Sequence, residues 1–485
     1  MADPTSEFEL KMQVPPERLA ELEEALQRDT VERTRLRARY FDTPDGALAA
    51  AGLVLRIRQE GESWVQTAKG PGRGGFERLE HNVPLGPGGA ELPPEIVRHR
   101  GHPVHELLVQ ALHASAADLQ PTFETDVLRA ARTLRAGGVA VEIALDRGEV
   151  RAGPRAQRVQ ELELELKEGT PAAAIELARS WCRNHGLWLD PQSKSAVGRR
   201  LAAGEDAPPS TARTIEARPR ELLPAIFEGA LQQILANARE LAAGSGGEGH
   251  VHQLRVGLRR LRSALRELPL KNDPLDDHVA PALANLFHHL GEHRDRATLL
   301  PALLRELEAA GHPLHGWQPP TPDPGALVRD ADVQDALVTL VGWTRSLHDV
   351  EGVSPKKLRR HVAHHLQALH DQMVRAGKRF ERLAPEDRHK VRKRLKRLRY
   401  LAELVQPLYH RHAVQAYVDA LKHLQDALGR YQDAAAGRAL FEERAAEDPQ
   451  AWFGAGWLAG REPQLAHACA RACRKTARKA KPFWA

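Results

Sequence analysis

Glu7, Glu9 and Lys11 alternate with Phe8, Leu10 and Met12, so an extended segment here sets two carboxylates and an ammonium on one face. The same alternation recurs where Arg56 and Arg58 share a face, and again where Glu161, Glu163 and Glu165 do. A Glu-x-Glu face suits a hard divalent cation, and an Arg-x-Arg face suits phosphate oxygens. Each strand alone reads as an ordinary solvated face. Closed into a barrel, the charged faces share one interior. An interior of both signs is what a metal-bound phosphate chain requires.

A second pattern lies further along. His252-Gln-Leu-Arg255-Val-Gly-Leu-Arg259-Arg260-Leu-Arg262 is answered by His389-Lys-Val-Arg392-Lys-Arg-Leu-Lys396-Arg397-Leu-Arg399. At about 100° per residue, His252, Arg255, Arg259, Arg262 and Arg266 fall within about 80° of helical arc. Leu254, Leu258, Leu261 and Leu265 form the apolar stripe beside them. In the second copy His389, Arg392, Lys396 and Arg399 share the basic stripe, and Glu403 stands where the first copy has Arg266. Like charges four residues apart repel by a few tenths of a kcal/mol per pair. Keeping such a stripe twice, rather than a mixed solvated face, favours an anion of repeating charge. Arginine grips phosphate with a two-pronged fork, and histidine would strengthen that grip as pH falls through about 6.5. Nucleic acid is the competing anion. No recognised nucleic-acid module appears, and Trp317, Trp343, Tyr400 and Trp452 do not interleave with the stripes. A basic C-terminal helix, Arg471 to Lys481, could touch any anion or remain solvated.

These residues need two kinds of scaffold. Up to about residue 203 the period is two, interrupted by helical patterns at 15–26, about 103–114, about 171–186 and 194–203. Residues 204–218 are rich in Pro, Ser and Thr and read as a linker, and from 219 the pattern is helical. A break at 311–325 splits the helical part into repeats of about 219–310 and 327–485. Leu290-Gly291 with Asp295 answers Leu428-Gly429 with Asp433, which extends the match and marks an internal duplication. Charge divides the same way. Residues 1–214 carry 28 Lys and Arg against 32 Asp and Glu, and residues 215–485 carry 42 against 32. Such asymmetry implies different partners for the two parts, the second anionic. No apolar run long enough to span a membrane and no secretory leader pattern is present, and three cysteines suit a reducing cytoplasm. Cys469 and Cys473 beside His467 hint at metal, but small residues on a helix are the plainer reading.

The paired basic helices resemble the CHAD domain over about 219–485. Glu7-Phe-Glu9-Leu-Lys11 resembles the E-x-E-x-K signature of the CYTH, or triphosphate tunnel metalloenzyme, family. Tyr40-Phe-Asp42, Arg56-Ile-Arg58, Thr67-Ala-Lys69-Gly70, Arg78-Leu-Glu80, Asp146-Arg-Gly148 and Ser193-Lys194-Ser195 extend that likeness over about 5–203. The resemblance implies an α+β chain: an eight-stranded antiparallel β tunnel over 1–203, then an all-α domain of two pseudo-symmetric four-helix bundles. It implies an inorganic triphosphatase using Mg²⁺ or Mn²⁺, held by Glu7, Glu9, Asp146, Glu161 and Glu163. Lys11, Arg56, Arg58, Lys69, Arg78, Arg129 and Lys194 would bind phosphate oxygens, and Glu165 would orient water. Asn82 stands where the family often has another acid. In the CHAD part, His252, Arg255, Arg259, Arg260, Arg262, Arg266, His389, Arg392, Lys396, Arg397 and Arg399 would bind polyphosphate. That would concentrate polyphosphate near the tunnel or localise the protein to granules. Relatives with the same tunnel also act on thiamine triphosphate or in cyclic-nucleotide chemistry, and a non-catalytic anion binder would use nearly the same residues.

Overall fold

The computed structural model describes residues 8–27, 30–71, 78–87, 89, 92–113, 115, 117–270, 278–308, 310–311, 317–348 and 353–484. The chain divides into two compact units. One comprises Met1–Pro209, Ala238–Ala243 and Val328–Gly342, and the other Ser210–Asn237, Gly244–Leu327 and Trp343–Ala485.

The first unit is built on one antiparallel sheet. Its strands are β1 (Glu9–Gln13), β2 (Glu32–Asp42), β3 (Val54–Glu60), β4 (Ser63–Pro71), β5 (Arg78–Gly86), β6 (Gln120–Ala136), β7 (Val139–Ala152), β8 (Arg155–Glu168) and β9 (Trp188–Leu189). The order is β5-β4-β3-β2-β6-β7-β8-β1-β9. The expected eight strands are therefore nine among the described residues. The extra one is a two-residue strand that pairs with Met12 and Gln13, where the chain returns after a helix. Alternation sorts the faces. Leu10, Met12, Leu162 and Leu164 are buried on the side carrying α1 (Leu19–Leu26) and α4 (Pro171–His185), whose Leu22, Leu26, Ala178 and Cys182 complete that core. Cys182 Sγ lies 3.2 Å from Met12 Sδ. Two more helices, α2 (Ala47–Ala50) and α3 (Pro103–His113), cover Leu53, Leu55 and Ala68 on the outer side.

The opposite face carries the charges. The register sets Lys11 opposite Glu163 and Glu9 opposite Glu165. It also sets Asp146 between Glu161 on one side and Arg129 on the other. Helix α5 (Lys194–Ala203) packs on Phe123 at Gly198, where a Cβ would come within 2.0 Å of the ring. Only glycine permits that approach, and it brings the α5 N-terminus, with Lys194, onto the charged face. Ser193 caps this helix by accepting from the Ala196 amide.

The second unit is helical. Its elements, some shared with the first unit, are α6 (Leu222–Ala242), α7 (Glu248–Glu267), α8 (Val279–Arg294), α9 (Leu300–Glu308), α10 (Pro324–Arg329), α11 (Ala331–Ser346), α12 (Pro355–Gly377), α13 (Pro385–Leu404), α14 (Arg411–Ala445) and α15 (Trp452–Lys479). The duplicated segments fall on α7 and α13. The Leu-Gly pairs fall on α8 and α14. A π-helical turn at Asp295–Leu299 joins α8 to α9, whereas α14 runs uninterrupted through the matching position. Both basic helices bury their apolar stripe: Leu254, Leu258 and Leu261 in α7, Val391, Leu395 and Leu398 in α13. Cys469 and Cys473 are core residues of α15 whose thiols burial pushes up to about 11 and about 12. His467 is exposed and hydrogen-bonded to Glu381, so the three form no metal cluster. Among the described residues no helix is long and apolar enough to cross a membrane.

Candidate active site and anion channel

In the first unit the charged face encloses a cavity of about 400 Å³. Glu9, Lys11, Arg56, Arg58, Lys69, Arg129, Asp146, Glu163, Glu165 and Lys194 all line it. Glu161 adjoins them through its pairs with Lys11 and Lys194. Glu7 and the Arg78 side chain fall outside the described residues. Residues up to 185 positions apart thus meet, because alternation on six strands points them the same way and α5 brings Lys194 to them.

At the centre, acids and bases neutralise each other. Lys11 Nζ lies 2.7 Å from Glu163 and 3.1 Å from Glu161. Lys194 Nζ lies 2.6 Å from Asp146 and 2.9 Å from Glu163. Arg129 holds Asp146 with two bonds of 2.7 Å and also pairs with Glu163. Burial works against each of these charges, but the partners outweigh it. The Lys11, Lys194 and Arg129 cations are held above their usual ranges, and the Glu163 carboxyl well below its own.

Glu9 behaves differently. Burial, then the neighbouring Glu163, push its carboxyl up to about 7. Its Oε1 is a buried oxygen with no hydrogen-bond partner, 3.8 Å from Lys11 Nζ. Glu9, Glu165 and Glu142 also face each other across three adjacent strands, and acids directly opposite one another are destabilising. Oxygens of Asp146, Glu161 and Glu163 lie within 4.8 Å of one another. An orphaned oxygen beside clustered hard donors fits Mg²⁺ or Mn²⁺.

Three charged lining residues were given no role from the sequence. Glu142 stands four positions before Asp146 on the same strand face, a spacing that could have disclosed it. Lys167 pairs with Glu165 at 2.6 Å. Glu80 pairs with Lys69. Asn82 accepts from Thr67 Oγ1 at 2.7 Å and donates to Glu80 at 3.2 Å, so it positions Glu80 rather than adding charge.

In the second unit, α7, α8, α13 and α14 surround a cavity of about 1860 Å³. All eleven basic residues singled out by the duplication line it. They divide into two sets. Arg260 pairs with Glu403 of α13 at 3.7 Å, and Arg397 pairs with Glu267 of α7, its Nε donating over 2.7 Å. The eighth position after each repeat's histidine thus locks its helix to the other. Arg399 is held by Glu403 at 2.7 Å, and His389 contacts Gln432 at 2.7 Å. Among the described residues Arg255, Arg259, Arg262, Arg266, Arg392 and Lys396 form no ion pair.

Those unpaired cations crowd. Burial and then Arg259 push Lys396 down to about 6 and Arg255 down to about 10. Arg392 is lowered by burial despite Asp433, and His252 by burial and then Arg259. The His252 transition therefore lies below the usual imidazole range. Phe287, which the sequence reading missed, receives three guanidinium groups over its ring, with Arg255, Arg259 and Arg262 at 4.5, 5.4 and 5.7 Å from the centroid. Gly291, one turn on, leaves room for Arg255, whose Nη1 would lie 2.8 Å from a Cβ there.

Comparison with known proteins agrees with this division. The CYTH domain family matches residues 5–198 and the CHAD domain family residues 225–442. The chain is a two-domain protein that joins a CYTH domain to a CHAD domain. It is 29% identical over 203 residues to an inorganic triphosphatase of Haemophilus influenzae, an alignment covering 41% of this chain and 55% of that protein. The chain thus spans about half the length of that curated relative. Among solved structures, the CHAD domain of the plant Ricinus communis gives a TM-score of 0.45 at 25% identity, over 56% of this chain and 98% of that one. A candidate adenylyl cyclase from Hippeastrum with a dominant triphosphatase activity gives 0.29 at 20% identity, over 41% and 96%.

Proposed function

We propose that the CYTH cavity hydrolyses inorganic triphosphate and that the CHAD cavity binds inorganic polyphosphate. The observation that carries this reading is the mixed-charge interior around Glu9, together with the predominantly basic channel of the second unit. The CYTH-domain match and the triphosphatase relative support it. Arg56, Arg58, Lys69 and Arg78 hold the phosphate chain by charge-assisted hydrogen bonds. Lys11, Lys194 and Arg129 release part of their grip on the acids to meet charge developing on the leaving diphosphate. Glu165 orients water and takes its proton as the water oxygen bonds to the terminal phosphorus and the anhydride bond breaks. Glu7, Glu9, Asp146, Glu161 and Glu163 would hold Mg²⁺ or Mn²⁺, which when bound neutralises phosphate oxygens.

Phosphate release from triphosphate, longer polyphosphate and ATP, with and without Mg²⁺ or Mn²⁺, tests the reading. Release should be fastest with triphosphate and lost on chelation. Glu9→Gln, like Glu7→Gln, should abolish metal-dependent turnover while the fold persists. Tight triphosphate binding with no release by the unmodified protein would show a tunnel that binds without turnover.

A further inference from the structure

The basic C-terminal end of α15 is not accounted for by either cavity. From Pro463 to the end the chain has no acid, while Arg471, Arg474, Lys475, Arg478, Lys479 and Lys481 are all basic and exposed. A few cations complement a helix C-terminus, but the dipole acts only within the last turn and does not explain three turns of them. Among the described residues Lys475, Arg478, Lys479 and Lys481 form no ion pair.

These residues line a concavity of about 520 Å³ between α15 and α14. Its α14 wall is Ala416, Asp419, Ala420 and His423, and Lys422 is their neighbour in sequence. Asp419 also lines the large basic channel, where Lys422 stands too, so the two hollows share Asp419. Asp419 is the acid at this junction; it accepts from Gln415 Nε2 at 3.0 Å and is outnumbered by the lysines and arginine around it.

We infer that an inorganic polyphosphate chain longer than the channel leaves it over Lys422 and continues along Lys475, Arg478 and Lys479, which form an exit site favouring long chains. This rests on the channel being the polyphosphate site. A bare phosphate chain fits better than a nucleic acid, because the aromatic rings nearby are engaged elsewhere. Phe483 and Trp484 pack edge-on against Tyr417, and Trp484 donates to Gln367 at 3.0 Å, so these rings are not presented for base stacking.

The test compares the full chain with a Lys475→Gln, Arg478→Gln, Lys479→Gln variant. Each is titrated with tripolyphosphate and with long-chain polyphosphate at several salt concentrations. Long-chain affinity should fall about tenfold or more in the variant, and its salt slope should drop by about 2, from three lost phosphate contacts. Tripolyphosphate binding should not change. A variant that keeps the parent's long-chain affinity and salt slope overturns the exit site. A second measurement needs no variant: long-chain polyphosphate should protect Lys475 and Lys479 from acetylation, and tripolyphosphate should not. Equal reactivity with and without the long chain also overturns it. An Arg255→Gln, Arg259→Gln, Arg262→Gln variant separates the two readings. If it binds the long chain normally, the channel assignment fails. If it loses long-chain binding while the CYTH cavity still takes up tripolyphosphate, and the α15 variant loses only the long-chain advantage, both stand. Efficient displacement of long-chain polyphosphate by single-stranded RNA of equal charge would overturn the ligand class.

Discussion

The two cavities of this protein handle buried charge in opposite ways. In the CYTH unit the central cations face acids, and Lys11, Lys194 and Arg129 are driven toward the charged form by Glu161, Glu163 and Asp146. In the CHAD unit cations face cations, and Lys396 and Arg255 are driven away from the charged form. The first interior is compensated before any ligand arrives. The second stores repulsion that only an incoming anion relieves. Compensated charge suits a site that must exchange partners during a reaction, and uncompensated charge suits a site whose task is to hold.

The largest effect that could break this contrast is in the tunnel. Glu163→Gln leaves Lys11, Lys194 and Arg129 short of a shared partner, and breaking a buried pair typically costs about 3 to 5 kcal/mol. The unfolding transition of the CYTH unit should weaken accordingly in denaturant titrations. An unchanged midpoint would mean the network is not self-compensating. The channel should respond with the opposite sign. Below about pH 6, where the Lys396 ammonium is charged, Lys396→Met removes a repulsion with Arg392 one turn away, so the free protein should gain about 0.5 kcal/mol while polyphosphate retention weakens. A less stable Met variant would contradict stored repulsion.

The smallest effect is a proton. Lys396 titrates near 6 in the free protein, whereas the unfolded chain titrates near 10.5. Between those values the unfolded state binds the extra proton, so this group's contribution to stability rises with pH and falls as pH drops toward 6. An anion restores the ammonium. Polyphosphate binding near pH 7.5 should therefore take up as much as about one proton, read as a dependence of the calorimetric heat on buffer ionisation enthalpy. Uptake should vanish in Lys396→Met. Binding should also strengthen as pH falls from the alkaline side toward about 6 and level off below it.

Much of this was legible beforehand. The Glu9-x-Lys11 and Glu161-x-Glu163-x-Glu165 faces followed from a period of two, and the stripes of α7 and α13 from a period near 3.6. The same patterns could not separate Arg260 and Arg397 from their neighbours, since all were basic and repeated. Their role in locking the helices depends on Glu403 and Glu267, each on the other repeat's helix. Alternation put Glu142 and Lys167 on the charged face, but the meeting of Glu142 with Glu165 depended on which strands pair. The two-residue β9 carried no periodic signal at all.

Local periodicity, set by backbone geometry, was enough to say that charges would gather on strand and helix faces, and that one set would repeat. Register and packing decided the rest. Whether a lysine meets a carboxylate or another cation depends on which distant segment lies against it, and that choice fixes its protonation, its energetic sign and its use.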